Sequence, residues 1–287
     1  MHDLMIVGSG PAGISAALTA KARNMDFIWF GSRSLSNKIE KAEKIMNYPG
    51  LPGVTGKQMH DIFLKQIDDS GITITQSQVN SIYDFGEYFA AGAENEIYEA
   101  RTVILTVGMA TTREIEGEAR LLGSGVSYCA TCDGALYKNK EIAVVCSSPK
   151  YEQEISFLSD IASHIYLFTT YKNVNIHKDN ITWYLGLPSC INGDARVSSV
   201  TFKGNEIPVS GVFFLKDSIN PGVLLSGLDM ADGHIIVNRA QETSIKGVFA
   251  AGDCTGRPYQ YTKATGEGNV AVHSALEYLK QHKYNNK

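Results

Sequence analysis

The sequence predicts an α/β chain made of two Rossmann-like domains, each a three-layer βαβ fold, with the second inserted in the first. Three observations predict this. A strand, a glycine turn and a helix follow one another at 4–22. A second strand–helix–strand pattern starts at Glu141. The C-terminal stretch then returns to the first pattern, with a strand at 247–251 and a helix over about 264–280.

Each element has a local reason. Leu4 to Val7 is an apolar strand that runs into Gly8-Ser9-Gly10-Pro11-Ala12-Gly13. A helix of small residues, Ile14 to Ala22, and a short strand, Phe27 to Phe30, complete the first βαβ unit. Residues 31–60 read as irregular, around a Pro/Gly turn at Asn47-Tyr48-Pro49-Gly50-Leu51-Pro52-Gly53. Alternating stretches predict strands near 72–75, 88–91 and 97–99, and Thr102 to Val107 is a β-rich run ending at Gly108. The second unit reads as strand 141–145, helix 151–162 and strand 165–168. The first domain is therefore placed at 1–112 plus 241–287, and the inserted domain at 113–240.

A length of 287 residues suits two domains. Hydrophobic residues make up 44% and charged residues 20%, an ordinary globular composition. The net charge of −4 and the lack of a long basic run argue against a nucleic-acid partner. No apolar run approaches the roughly 18 residues that span a bilayer. The start reads straight into a strand, with Asp3 where a signal peptide would be basic, so the expectation is a soluble, cytoplasmic protein. Five cysteines divide into one close pair and three singles, Cys146, Cys190 and Cys254. In a reducing compartment a close pair is catalytic or metal-binding more often than structural.

The first turn has the spacing of a dinucleotide site. Gly8 makes the tight turn, Gly10 lets a pyrophosphate approach the backbone, and Gly13 lets the helix pack on the strand. Pro11 and Ala12 lie within this turn, and the free N–H groups and the dipole of the helix that follows stabilise an anion. The plainer alternative is a bare glycine turn. The second strand ends Phe30-Gly31-Ser32, without an acid for the adenosine ribose. The C-terminal strand ends Gly252-Asp253, as in two-domain flavoproteins, where the Asp faces the ribityl and pyrophosphate region. The alternative there is a turn with a helix-capping Asp. Together the two motifs favour FAD.

Cys129-Ala130-Thr131-Cys132-Asp133-Gly134 carries the chemistry. Two cysteines three apart can close a small disulfide, and in such motifs one thiol has a lowered pKa. Asp133 beside them could move a proton to or from a departing thiol. The alternative is half of a zinc site, but no second Cys-x-x-Cys or His pair completes four ligands, and no metal is expected.

Taken together, Gly8-to-Gly13, Asn47-Tyr48-Pro49-Gly50, Cys129-to-Gly134 and Gly247-to-Asp253 resemble the low-molecular-weight thioredoxin reductases in order and spacing, over nearly the whole chain. The resemblance implies FAD, a homodimer and thioredoxin as substrate. It implies that Cys132 faces the isoalloxazine, Cys129 attacks the partner's disulfide and Asp133 is the acid/base. It also places Asn47 and Gln260 at the flavin ring.

In the second unit the expected glycines are Cys146, Ser147 and Ser148, followed by Pro149, Lys150 and Glu152. Each Cβ blocks a pyrophosphate, Pro149 removes an N–H, and Glu152 puts negative charge in the first helical turn. The ribose position reads Thr169-Thr170-Tyr171-Lys172, with neither the acid for NAD nor the arginine for NADP. The pattern resembles the ferredoxin-dependent flavin thioredoxin reductases, which implies that reduced ferredoxin supplies electrons. Arg33, Lys38, Lys41 and Lys44, diluted by Glu40 and Glu43, are a candidate docking segment or a solvated charged helix. Three other readings fit the same gaps: a flavin dithiol oxidase linked to oxygen, an NADPH-dependent reductase with an atypical site, and a non-catalytic flavin redox sensor.

Overall fold

A computed structural model describes the chain except residues 36–38, 40, 41, 94, 95, 110–114, 129, 217–220 and 285–287 and the side chains of Cys132, Lys283 and Tyr284. Along the chain, β1 (His2–Val7), α1 (Pro11–Ala22) and β2 (Phe27–Phe30) are followed by α2 (Gly56–Asp69). Three strands come next: β3 (Val79–Asp84), β4 (Phe89–Ala93) and β5 (Glu96–Leu105). Then come β6 (Val126–Ser127), β7 (Glu141–Cys146), α3 (Glu152–Ile161), β8 (His164–Thr169) and β9 (Ile181–Leu185). A meander of β10 (Cys190–Asn192), β11 (Ser199–Phe202) and β12 (Asn205–Pro208) leads to β13 (Val212–Leu215). The hairpin β14 (Met230–Ala231) and β15 (His234–Ile235), strand β16 (Val248–Ala250) and helix α4 (Tyr261–Tyr284) close the chain.

Two compact units result, Met1–Ala110 with Asn220–Lys287, and Thr111–Ile219. The first unit's second segment thus starts at Asn220, whereas the sequence placed it at 241. In the first unit the sheet order is β2-β1-β5-β4-β3, with β16 also on β5. β1 runs parallel to β2 and β5, and β16 parallel to β5. The hairpins β3–β4 and β4–β5 are antiparallel. In the second unit β6-β13-β7-β8-β9 form one parallel sheet. Both arrangements put the open ends of parallel strands beside a helix start, where α/β proteins bind ligands.

Several sequence expectations are revised. Within 31–60, read as irregular, α2 begins at Gly56. Thr55 caps it: its Oγ1 accepts the Gln58 N–H at 3.2 Å, and Gln58 Oε1 accepts the Thr55 N–H at 2.8 Å. The strand expected at 72–75 is only a single bridge, in which Thr75 exchanges bonds with the backbone of Trp29 and Gly31. The stretches at 97–99 and 102–107 are one strand, β5. The sheet strand β3 was not anticipated.

Within the first core the contact between α1 and α4 is built on small residues. Ala16, Ala17 and Ala20 of α1 are buried with Ala264, Ala271 and Ala275 of α4. Small side chains let two helix backbones approach closely. Gly268 shows how closely, because a Cβ there would lie 2.2 Å from the Ala12 carbonyl oxygen. In the second unit Ile142, Val144, Ile165, Leu167, Phe213 and Leu215 from the sheet pack against Ile155 and Leu158 of α3.

This packing predicts opposite outcomes for two glycines of one helix. Gly268→Ala should destabilise the protein by about 3 kcal/mol, the upper range for overpacking. At Gly266 a Cβ meets nothing within 4 Å. Gly266→Ala should therefore stabilise by up to about 1 kcal/mol, through helix propensity. Urea midpoints of the two variants check both signs.

Candidate functional site

In the first unit β1 delivers the chain into its turn with Gly8 at φ +117°, a conformation that favours glycine. A Cβ on Gly8 would meet the Thr106 carbonyl oxygen at 2.3 Å, and one on Gly13 would meet the Gly8 oxygen at 2.0 Å. Both glycines therefore serve close packing. Gly10, the residue before α1, differs: a Cβ there meets nothing within 4 Å. That open space lies in front of the first N–H groups of α1, which have no intrahelical acceptors. Pro11 starts the helix, where its missing N–H costs nothing. Room and free donors together fit the pyrophosphate of a dinucleotide.

Neighbouring groups hold this turn. The Trp29 indole Nε1 donates to the Gly8 carbonyl at 2.8 Å. Ser9 Oγ donates to the Leu35 carbonyl and accepts the Ser32 N–H, both at 2.9 Å, so it fixes the loop after β2. Gly252 follows β16 at φ +91°, and a Cβ on it would press on the Ala12 side chain at 3.0 Å. Asp253 then opens a short 3-10 turn. Asn47 and Gln260, 213 residues apart, meet: Asn47 Nδ2 donates to Gln260 Oε1 at 2.7 Å.

In the second unit the equivalent turn is occupied by protein groups. The Ser147 N–H donates to the Leu215 carbonyl at 2.9 Å, as the Gly8 N–H does to the Phe30 carbonyl at 2.8 Å in the first unit; the difference lies in the residues that follow. The Lys150 N–H is taken by the Ser148 side chain, and the Tyr151 N–H by the Ser148 carbonyl at 3.3 Å. Pro149–Tyr151 form a 3-10 turn, so α3 starts only at Glu152. The Glu152 carboxylate accepts the Asn175 N–H at 3.2 Å and the Tyr171 hydroxyl at 3.4 Å. The ribose segment is also engaged. Thr170 Oγ1 donates to the Ser147 carbonyl at 3.3 Å, and Thr169 Oγ1 accepts the Trp183 indole at 2.8 Å. A phosphate here would displace a carboxylate from its partners and face its charge.

The whole pattern agrees with a known family. The family model described as pyridine nucleotide-disulphide oxidoreductase matches residues 2–268. The chain belongs to this family. It is similar to a ferredoxin-flavin thioredoxin reductase from Clostridium acetobutylicum, at 43% identity and a TM-score of 0.86 over 99% of each chain. A thioredoxin reductase from Gloeobacter violaceus is 28% identical, with a TM-score of 0.74 over 98% of this chain and 95% of that one. A thioredoxin reductase from Listeria innocua is 28% identical over 303 residues, covering 98% of this chain and 95% of its own length.

In this oxidoreductase chain the cysteine motif follows β6. Cys129 and the Cys132 side chain lie outside the described residues. The backbone from Ala130 to Asp133 is one helical turn, continued by a 3-10 turn over Gly134–Tyr137. Asp133 Oδ2 accepts the Ser127 hydroxyl at 2.6 Å. The remaining cysteines are free thiols. Burial pushes the Cys254 thiol up to about 12, and it also raises Cys146 and Cys190. Among the described residues no His/Cys/Asp/Glu group could hold a metal. No described helix is long and apolar enough to cross a membrane.

Sequence reasoning missed the brace behind Gly252. Lys263 Nζ donates to the Gly252 carbonyl at 3.0 Å, to Thr255 Oγ1 at 3.1 Å and to Glu267 Oε2 at 2.9 Å. Glu267 Oε2 also accepts the Gly252 N–H at 2.8 Å. The i,i+4 spacing on α4 was legible, but its buried target was not. Of the basic segment, Arg33 is paired with Asp68 at 2.9 Å and Lys44 is exposed. Lys38 and Lys41 lie outside the described residues.

Two outcomes are expected. Lys263→Met leaves the Glu267 carboxylate without its cation, and should lower stability by about 2 kcal/mol in urea unfolding. A raised thiol pKa leaves little thiolate near neutrality. Cys146 and Cys254 should therefore resist iodoacetamide in the native protein at pH 8, and react faster as pH rises further. Peptide mass spectrometry after labelling checks this.

Proposed function

We propose that the chain is an FAD-dependent disulfide oxidoreductase that reduces thioredoxin with electrons from reduced ferredoxin, through a Cys129–Cys132 disulfide. The observation that carries the donor assignment is the second turn, where Ser148 takes the N–H groups of Lys150 and Tyr151 and Glu152 puts a carboxylate in the first helical turn. The likeness to the Clostridium acetobutylicum ferredoxin-flavin enzyme supports the same donor.

FAD, when bound, supplies a centre that accepts electrons singly and releases them in pairs. The chain's own residues do the rest. Gly10 leaves room for the pyrophosphate, and the α1 N-terminus with Pro11, Ala12 and Gly13 holds it. Gly252 and Asp253 face the ribityl side, and the Asn47–Gln260 pair holds the ring edge. The Cys129–Cys132 disulfide takes up two electrons and two protons to become a dithiol. Cys129, as thiolate, attacks the thioredoxin disulfide and forms a mixed disulfide. Cys132 then attacks Cys129, which re-forms the internal disulfide and releases reduced thioredoxin. Asp133, held by Ser127, gives or takes the proton at the departing thiol. Two reduced ferredoxins supply one electron each per cycle. A homodimer in the cytoplasm, as the sequence implies, completes the proposal.

The geometry sets a scale for the loss of nicotinamide use. Forfeiting two charge-assisted bonds to a pyrophosphate costs about 3–6 kcal/mol. A micromolar site would then weaken to the millimolar range or beyond. The test is anaerobic turnover with reduced ferredoxin and oxidised thioredoxin, with NADPH in parallel. Ferredoxin should support steady thioredoxin reduction, and NADPH should not. Cys132→Ser should trap thioredoxin on Cys129 as a stable mixed disulfide. Rapid turnover with NADPH would overturn the donor, and oxygen uptake driven by small dithiols would favour an oxidase.

A further inference from the structure

The second unit contains a buried charge pair to which the proposed reaction assigns no role. Glu118 is 1% exposed and Lys216 is 7% exposed. Lys216 Nζ and the Tyr128 hydroxyl both donate to Glu118 Oε1. Glu118 Oε2 accepts the Ile115 N–H at 2.9 Å. The Lys216 ammonium also lies 4.7 Å from the Phe214 ring centroid and 5.2 Å from that of Tyr128, and these rings stack at 5.4 Å. Tyr128 immediately precedes Cys129 in the chain.

A buried ion pair is a poor way to gain stability. Desolvation offsets most of the attraction, and well-packed apolar residues of the same volume often do as well or better. What the pair supplies is direction. It ties three separate pieces together: the turn at 115–118, the residue that leads into the cysteine motif, and the chain just after β13. An apolar trio could fill the space but could not fix the phenol's position.

We propose that Glu118 and Lys216 are positioning residues for the Cys129–Cys132 pair, acting through Tyr128, the residue before Cys129, to favour the disulfide over the dithiol. The inference rests on the reading of Cys129 and Cys132 as the redox pair. A held segment raises the effective concentration of one thiol at the other, so it favours the disulfide. Loosening the anchor shifts the balance toward the dithiol.

The test is a thiol–disulfide titration of the full-length, FAD-loaded protein in anaerobic dithiothreitol buffers. Oxidised dithiothreitol takes up the two electrons and two protons that the cysteine pair releases on closing its disulfide. Samples are quenched in acid and alkylated, and the Cys129–Cys132 peptide is weighed. The other cysteines fall outside that peptide. Glu118→Leu with Lys216→Met removes the pair without stranding a charge. It should lower the disulfide equilibrium constant roughly tenfold, a midpoint about 30 mV less negative. Tyr128→Phe keeps the ion pair and removes one bond; its shift should have the same sign, about threefold. If the double variant does not fold, Tyr128→Phe alone decides. An unshifted midpoint in a folded variant would overturn the positioning role. A wild-type peptide that never carries a reversible disulfide would overturn the redox reading itself, and this inference with it.

Discussion

A backbone N–H at a helix start holds one acceptor at a time, and what stands before those donors separates the two halves of this chain. In the first unit the Gly8 N–H goes to the Phe30 carbonyl, and the turn that follows keeps its space. Gly8 and Gly13 are pressed against neighbouring backbone, so that only Gly10 faces open room. In the second unit the turn after β7 binds the protein itself. Ser147 donates to Leu215 as Gly8 does to Phe30, but here the donors that follow are taken by Ser148. The helix begins at Glu152, whose carboxylate takes the Asn175 N–H. The same supersecondary unit is thus a ligand cradle in one place and a closed structural joint in the other. An anion at a helix start is stabilising whether it is a phosphate or a side-chain carboxylate, and here the protein supplies its own.

The cradle depends on close packing from behind. α1 and α4 approach through alanines and Gly268, which brings the α4 side chains Lys263 and Glu267 under the Gly252 turn. Distant parts of the sequence are joined this way, and the Asn47–Gln260 bond is a second instance. The second unit uses a different device, a buried Glu118–Lys216 pair beside the cysteine motif. In both units a charged pair fixes a turn; Lys263 and Glu267 are neighbours on α4, whereas Glu118 and Lys216 lie 98 residues apart.

Legibility in the sequence followed the range of the interactions. The paired βαβ pattern and the glycine spacing are local, so both Rossmann-like units could be read. The replacement of glycines by Cys146, Ser147 and Ser148 was legible for the same reason. Thr55 and Gln58 spell a capping box that was available in the sequence, yet the Pro/Gly turn at 47–53 masked it and α2 was missed. The expected strand at 72–75 failed because Thr75 alone pairs, at the edge beside Phe30. The Glu118–Lys216 pair spans 98 residues, and the Trp29 bond to Gly8 spans 21. Neither has a sequence signature, because burial and folding back create them.

In the proposed function the second unit's turn is closed to nicotinamide dinucleotides by its own residues. Isothermal titration of the FAD-loaded protein with NADP⁺ and with NADPH under argon tests it most directly, because binding is read apart from electron transfer. No saturable heat is expected up to millimolar ligand. Micromolar affinity would contradict this, and would mean instead that the Glu152 carboxylate and Ser148 give way to the ligand.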